Sequence, residues 1–396
     1  MESILSYNKA SSILKESTYI LDRIANKELT KLPVSKKSTR IIVTIPANNE
    51  EKLIIDCLEA LRNQQILKGN LFDYNLFEVI VLCHNCSDKT LSFCKNYLII
   101  YPEFNLLLLD IYQDDVDNVG AARRILMNIA SNRLKDPDGI IATTDADTIA
   151  NKYWLANLLG YYQSEYDLIC GKINVLNHYN LGRAQQLLNK KESYGNLRAT
   201  LEAVIAPDIL DPLPRHFHNS GPNLAIKKKV YDSIGGMPPI SFLEDIALYD
   251  LVASSGKVIR HCPFTIVSTS NRTVARVAQG FSSQLSDWNT IENKILYVEG
   301  LNKLIRKFKI FDYIRTKFYI PTNLFLEKLC DLTGIEITIL QQMRNASYNP
   351  NALINRIDRA LDTSENWNTT YPNSDIDLAI MEIDNYLKST NLFAIY

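Results

Sequence analysis

The sequence predicts an α/β fold in which a mostly parallel sheet is flanked by helices, with helical extensions at both ends. Between residues 41 and 206, short apolar or β-branched runs alternate with helix-like segments. Strands that alternate with helices need crossover connections, and these favour parallel pairing. The chain also has 396 residues, of which 46% are hydrophobic, so it can bury a sizeable core.

The first predicted element is a helix that begins near residue 3 and ends at about residue 28, because apolar residues recur there at three- and four-residue steps. The residues on this face are Ile4, Leu5, Tyr7, Ile13, Leu14, Ile20, Leu21 and Ile24. The polar segment TKLPVSKKSTR follows. We therefore assign residues 1–38 to an N-terminal helical extension and linker.

The alternating region comes next. Its predicted strands are IIVTI, FEVIVL, NLLLLDI, GIIATT and YDLICGKINV. The predicted helices cover about 50–65, 87–101, 119–134, 152–164 and 182–206. A loop marked by Pro207, Pro212, Pro214 and Pro222 leads to a second block that ends near Phe281. We expect one domain over 39–281 and a helical C-terminal region, without strand alternation, over 282–396.

Composition excludes several classes of protein. The 43 Lys and Arg residues against 44 Asp and Glu leave a formal charge of −1, so no nucleic-acid partner is expected. Seven scattered cysteines without framework spacing are typical of reduced thiols. The N-terminus lacks a secretory pattern, and no stretch reaches the roughly 20 apolar residues of a transmembrane segment. We expect a cytoplasmic protein for which peripheral membrane contact stays open.

Two carboxylates directly follow a predicted strand. Asp145 and Asp147 lie in TTDADT, after GIIAT. In open α/β sheets the ligand binds beyond the carboxyl ends of the strands, and carboxylate oxygens are hard ligands that suit Mg²⁺ or Mn²⁺. The alternative interpretation is an Asp-rich turn that caps the next helix.

Four more polar segments follow or adjoin predicted strands. They are VTIPANNEE at 43–51, VIVLCHNCSDKT at 79–90, NVGAAR at 118–123, and SGPNLAI with LEDIAL within 220–248. With DADT at 145–148, these segments in this order resemble glycosyltransferase family 2 over roughly 40–281. The resemblance implies the GT-A fold of nucleotide-diphospho-sugar transferases. It also implies a metal-dependent, inverting transfer of the hexosyl type, from a UDP- or GDP-sugar to a hydroxyl of a small-molecule, glycan or lipid-linked acceptor.

The resemblance also implies roles for individual residues. Asp145 and Asp147 would hold Mg²⁺ or Mn²⁺, Asp245 would be the catalytic base, and Glu244 would bind acceptor hydroxyls. The residues implied at the nucleotide-sugar site are Pro46, Ala47, Asn48, Glu50, Asn85, Asp88, Gly120, Arg123, Asp145 and Asn223.

Two segments leave alternatives open. Cys83 and His84 stand where many members carry two aspartates, so Asn85 or His84 can replace the acid and the preferred base is not determined. Arg272 and Arg276, four residues apart, would share a helix face and clamp a diphosphate, or else be solvated surface residues.

The roles of two further histidines stay open, and so do three alternative functions of the protein. His216 and His218 are either structural or within reach of the metal or acceptor. A sugar nucleotidyltransferase shares the sheet and the metal, but it normally has a Gly-rich phosphate loop where this chain has PANNEE. A non-catalytic carbohydrate-binding protein would not need both DADT and LED. A redox protein would use the C-H-N-C motif at the start of a helix.

Overall fold

A computed structural model of the chain describes residues 2–66, 69–176, 182–272, 285, 287–288 and 295–390. Its main sheet is built from eight strands: β1 (Ile41–Ala47), β2 (Phe77–His84), β3 (Leu106–Ile111), β4 (Ile140–Thr143), β5 (Thr148–Ala150), β6 (Leu168–Leu176), β7 (Leu224–Lys227) and β8 (Ile259–Ser270). The strand order is β3-β2-β1-β4-β7-β6-β8-β5. Pairing is parallel from β3 to β4 and between β6 and β8, and antiparallel at β7 and β5. The predicted α/β class is confirmed.

The helices around this sheet are α1 (Glu2–Leu29), α2 (Ile54–Arg62), α3 (Thr90–Ile100), α4 (Val119–Arg133), α5 (Trp154–Leu159), α6 (Arg183–Ile205), α7 (Lys228–Ser233) and α8 (Glu244–Ser254). The helix α2 begins four residues later than predicted. Asn49 adopts a left-handed backbone conformation with φ of 55°, and the Glu50 N–H donates to the Thr90 hydroxyl at 2.7 Å. Asn49 and Glu50 therefore belong to a loop, and α2 begins only after it.

The central strands are apolar along their whole length because both faces of the sheet are covered. Successive residues point to opposite faces, so Ile41 and Val43 pack in one core while Ile42 packs in the other. The first core is closed by α2, α3 and α5. The second is closed by α4, α7, α8 and α1. The N-terminal helix therefore packs against the sheet domain.

The C-terminal region is mainly helical, as predicted. It contains α9 (Leu301–Lys317), α10 (Thr322–Thr333), α11 (Ile337–Asn345), α12 (Pro350–Thr363), α13 (Glu365–Thr370) and α14 (Ile376–Ser389). It also contains a two-stranded antiparallel sheet of β9 (Tyr297–Glu299) and β10 (Asn373–Asp375). These strands were not predicted from the sequence, because each has only three residues and β10 is wholly polar. Within the described ranges, every helix is too short or too polar to cross a membrane.

Candidate functional site

The carboxyl ends of β2, β1 and β4 lie side by side, because these strands are parallel neighbours. The loops that leave them carry the segments beginning at Pro46, His84 and Asp145. The 3₁₀ turn Gly221–Asn223 leads into β7, which pairs with β4. The sheet order thus brings four of the polar segments identified in the sequence to one edge.

Arg123 on α4 connects the Asp145 segment to the start of α8. Its guanidinium forms an ion pair with Asp145 and donates to the Thr143 hydroxyl. Nη1 also donates to the Gly221 carbonyl at 3.0 Å, and Nε lies 3.0 Å from Glu244 Oε1. Arg123 and Glu244 are buried. Burial raises the pKa of Glu244, and the Arg123 charge opposes that rise.

Two glycines allow close approaches in this region, one to Arg123 and one to the loop before α8. A Cβ on Gly221 would lie 2.5 Å from Arg123 Nη2. A Cβ on Gly120 would lie 2.0 Å from the Ile240 carbonyl oxygen. The close approach at Gly120 therefore serves the loop that precedes α8, a contact that the sequence analysis did not foresee.

A second ion-pair group contains Asp147. Arg272 Nη2 lies 3.2 Å from Asp147 Oδ2, and Arg272 Nη1 donates to both Glu50 carboxylate oxygens at 2.9 Å. Asp147 Oδ1 lies 3.4 Å from the Thr148 hydroxyl and 3.5 Å from that of Thr269. Burial alone would lower the pKa of Arg272, but Asp147 and Glu50 raise it above its ordinary value. The group therefore joins the ends of β1, β4 and β8. Arg276 lies outside the described residues.

Asp245 is held by two backbone groups. Its Oδ2 accepts the Gly221 N–H at 2.7 Å, and its Oδ1 accepts the Ile246 N–H at 2.8 Å. The preceding Leu243 has a left-handed backbone with φ of 57°, and its side chain is 61% exposed. Asp245 is half-buried, so its carboxylate, which these two N–H groups orient, remains partly accessible to solvent.

Asn85 and Asp88 fasten neighbouring loops to one another. Asn85 has φ of 50°, and its amide donates to the Gln113 and Val116 carbonyls at 3.2 and 3.1 Å. Asp88 Oδ2 accepts the Glu51 N–H at 3.1 Å. These contacts hold the loop after β2 against the loops after β3 and β1.

His84 and Asn48 also serve this loop framework. His84 is buried with Nδ1 3.3 Å from the Val116 carbonyl, and burial lowers its pKa. Asn48 Nδ2 donates to the His84 carbonyl at 2.8 Å. Pro46 and Ala47 belong to the buried end of β1, so they shape the floor of this part of the site through the backbone.

The C-H-N-C motif contains reduced thiols. All seven cysteines are free. Cys86 Sγ donates to the Ala47 carbonyl at 3.3 Å and accepts the Asn49 N–H at 3.5 Å. A hydrogen bond from Cys83 lowers the pKa of Cys86 to about 7. Cys83 and Cys86 thus pack beneath the loops that follow β1 and β2.

Asn223 connects α5 with the strands β6 and β8. Its side-chain oxygen accepts the Trp154 indole N–H at 2.8 Å, and its Nδ2 donates to the Lys172 and Thr265 carbonyls, each at 2.9 Å. Asn223 and Trp154 are buried. The Asn223 amide thus has protein partners for its oxygen and its nitrogen.

The two loop histidines have protein partners. His216 is buried, with Nε2 3.1 Å from the Cys262 carbonyl and Nδ1 accepting the His218 N–H at 3.0 Å. Burial lowers the pKa of His216 to about 3, so its ring is neutral at pH 7 and both nitrogens are used. His218 Nε2 lies 3.1 Å from Glu192 Oε2. Both rings therefore serve the loop before Gly221.

The chemistry of the aspartates suits a divalent ion that is shared with a ligand. Over the described ranges, no group of three or more His, Cys, Asp and Glu side chains is arranged to hold a metal. Mg²⁺, however, usually takes one or two carboxylates and completes its shell with water and phosphate oxygens. Asp145 and Asp147 are two carboxylates of this kind, and each is paired with an arginine in the structure.

Thr143 contacts Arg123, and Thr269 contacts Asp147. Neither threonine was among the site residues predicted from the sequence. The available signal for Thr143 was its position in TTDADT, directly before the aspartates. Thr269 had the weaker signal of a hydroxyl-rich strand end, STS.

Comparisons with known proteins give one family and several solved structures. Residues 42–231 match the sequence profile described as "Glycosyl transferase family 2". S. aureus TarS 1-349 in complex with UDP is 14% identical, with 89% of this chain and 92% of that chain covered and a TM-score of 0.44. The mannosyltransferase PcManGT from Pyrobaculum calidifontis, in complex with GDP-Man and Mn²⁺, is 15% identical over 98% of this chain and 97% of that one, with a TM-score of 0.42. No curated protein matches the chain significantly.

Proposed function

Residues 42–231 form a glycosyl transferase family 2 domain, and from this premise we propose that the chain is a metal-dependent, inverting transferase that moves a sugar from a nucleotide diphosphate to an acceptor hydroxyl. The observation that carries the proposal is the Arg123 network. It links Asp145 after β4 to Glu244 at the start of α8, where Asp245 follows. A donor-binding group and an acceptor-binding group thus share one buried cation.

At the donor end, Asp145 and Asp147 would hold Mg²⁺ or Mn²⁺ together with the diphosphate of a UDP- or GDP-sugar. The ion would neutralise the charge that builds on the leaving diphosphate. Asn48 lies in the loop after β1, where it would face the nucleoside, and Glu50 of the same loop would hold Arg272 beside the diphosphate. Arg272 would add a positive charge to the diphosphate.

At the acceptor end, Asp245 is proposed as the general base. The Gly221 and Ile246 N–H groups orient its two oxygens. The carboxylate would take the acceptor hydroxyl proton as the new carbon–oxygen bond forms, while the bond to the diphosphate breaks and its electron pair leaves with the phosphate oxygen. Direct attack from the opposite face needs one base and inverts the anomeric centre. Glu244, held by Arg123, would accept hydrogen bonds from acceptor hydroxyls.

The organisation and location of the protein are part of the proposal. Residues 39–281 would be the catalytic unit, with residues 1–38 and 282–396 as helical additions. Seven free thiols favour a reducing compartment such as the cytoplasm. A lipid-linked acceptor would be reached at the membrane surface.

Donor turnover tests the proposal directly. The purified chain is incubated with UDP- and GDP-sugars and Mn²⁺, and nucleotide release and product are measured with and without a chelator. We expect Asp147→Asn to abolish the metal-dependent turnover while circular dichroism shows an unchanged fold. Asp331→Asn, at an exposed position of α10 in the C-terminal region, is the matched control.

The outcome separates the rival functions. Full activity of Asp147→Asn, or of the wild type in excess chelator, contradicts the metal role. Sugar binding without turnover indicates a carbohydrate-binding protein, and pyrophosphate release from a nucleoside triphosphate indicates a nucleotidyltransferase. NMR of the product linkage gives the stereochemistry, and a product that retains the donor configuration contradicts single displacement.

A further inference from the structure

Arg272 lies between two carboxylates that the proposed function assigns to the donor and its metal. Its Nη2 is 3.2 Å from Asp147 Oδ2, and its Nη1 is 2.9 Å from each oxygen of Glu50. Asp147 and Glu50 are buried, so solvent screens this group only weakly. The Arg272 charge therefore already interacts strongly with Asp147 in the protein without ligands.

A guanidinium and a divalent ion cannot share Asp147 without cost. Mg²⁺ binds carboxylate oxygens at about 2.1 Å, so an ion on Asp147 would lie close to the Arg272 charge. Like charges at such separation repel strongly where water is largely excluded. An ion that binds Asp147 must displace Arg272 or bind more weakly.

We propose that Arg272 is a resident counter-ion of Asp147 in the donor-free protein, and that a divalent metal competes with it for this carboxylate. The inference rests on the proposed function. The diphosphate of the donor is a second anion that can accept the displaced guanidinium. Metal alone then binds weakly, and metal with nucleoside diphosphate binds tightly.

Glu50 anchors the Arg272 side chain during this exchange. Both of its oxygens contact Arg272 Nη1, whereas Asp147 contacts Nη2. The guanidinium can therefore leave Asp147 while Nη1 stays anchored on Glu50. This arrangement keeps Arg272 beside the diphosphate position after the metal has entered.

A purely structural ion pair makes a different prediction. Loss of a structural partner would lower the melting temperature and would leave metal affinity unchanged or weaker. Competition predicts tighter metal binding, because removal of the Arg272 charge removes a repulsion between that charge and the metal. Metal affinity measured without donor thus separates the two roles, and it needs no turnover.

The experiment is a Mn²⁺ titration of the full chain, followed by the electron paramagnetic resonance signal of free Mn²⁺. Without nucleotide, we expect Arg272→Ala to bind Mn²⁺ about ten-fold more tightly than the wild type. Arg272→Lys keeps the charge and should remain close to the wild type. Lys52→Ala is the charge control, since it removes one exposed cation two residues from Glu50, and it should change affinity by less than about two-fold.

A second titration, with UDP or GDP present, measures the coupling between metal and diphosphate. Because coupling is reciprocal, the factor by which the nucleotide strengthens Mn²⁺ binding should be smaller in Arg272→Ala than in the wild type. If circular dichroism shows that Arg272→Ala is unfolded, Arg272→Gln replaces it, since it keeps a hydrogen-bonding side chain without the charge.

Three results contradict the inference. Equal or weaker Mn²⁺ binding by the neutral variant, while the wild type binds Mn²⁺ with nucleotide, overturns competition and leaves the proposed metal use intact. If UDP or GDP strengthens Mn²⁺ binding by the same factor in Arg272→Ala as in the wild type, competition is likewise overturned and the proposed metal use stays intact. No Mn²⁺ binding by any variant, with or without UDP or GDP, overturns both the inference and the metal part of the proposed function.

Discussion

At the scale of single residues, the charged groups of the site also hold its loops in place. Asp88 accepts a backbone N–H from the loop after β1, and Asp245 accepts one from the turn before β7. Arg123 joins four partners from three segments of the chain. Such double use preorganises a site, because the side chains that face the ligand are fixed by the fold before the ligand arrives.

Asp245→Asn tests the proposed base at this scale. The substitution keeps the size of the side chain and an oxygen that can accept a backbone N–H, but it removes the basicity. We expect sugar transfer to slow by about 10²- to 10⁴-fold, with donor and Mn²⁺ affinity changed little. Single-turnover kinetics and donor titration make the measurement. Transfer at the wild-type rate would exclude Asp245 as the base.

At the scale of elements, the first turn of α4 and the loop before α8 are built against each other. Gly120 leaves no room for a Cβ beside the Ile240 carbonyl. The same loop ends at Leu243 in the left-handed conformation and then delivers Glu244 and Asp245. The position of both acids therefore depends on a backbone contact with α4.

Gly120→Ala should disturb this contact. Its Cβ would meet the Ile240 oxygen at 2.0 Å, so the loop or the helix must shift. We expect a loss of about 1–3 kcal/mol in the free energy of unfolding, together with slower transfer. Gly160→Ala is the control, since its nearest neighbour would be 3.2 Å away. Urea denaturation measures both, and equal stability of the two variants would contradict the prediction.

At the scale of the whole molecule, α6 joins the sheet region to the C-terminal helices. Leu201 of α6 packs in one core with residues of α9 to α14. Beside this core, the buried Lys307 Nζ lies 2.6 Å from Glu299 and Asp358 and 2.8 Å from Asp362. Burial alone would raise the pKa of Glu299, but Arg198 and Lys307 lower it. This carboxylate therefore stabilises the fold above its unfolded pKa, and that contribution is lost as the pH falls.

Lys307→Met should destabilise the helical region, because the half-buried Glu299 and Asp358 lose the buried cation that they share. Arg198 still lies 3.6 Å from Glu299, so we expect a loss of about 1–3 kcal/mol at pH 7. The deficit should shrink at acid pH, where these carboxylates become protonated. Lys388→Met, which breaks only the exposed pair with Asp384, should cost less than about 1 kcal/mol. Thermal and urea unfolding at pH 7 and pH 5 check this, and a pH-independent deficit would contradict the charge argument.

The sequence by itself determined the fold class and the candidate chemistry. Buried strands alternating with helices gave a local signal, and DADT directly after GIIAT placed two carboxylates at a strand end. The roles of Asp145, Asp147 and Asp245 stay predictions. The small sheet of β9 and β10 was missed because a three-residue strand has too short a pattern to recognise.

Only the tertiary structure decided which charges meet. Arg272 and Glu50 are 222 residues apart, yet they share two hydrogen bonds. Arg123 forms an ion pair with Glu244 although the strands β4, β5, β6 and β7 lie between them in the sequence. It also decided that His216 and Asn223 serve buried backbone groups. Spacing along a chain reports a helix face or a strand edge, because these are set by neighbouring residues. Partners across the sheet are set by strand order and by the burial that forces each polar group to find one, and neither is encoded in any short segment.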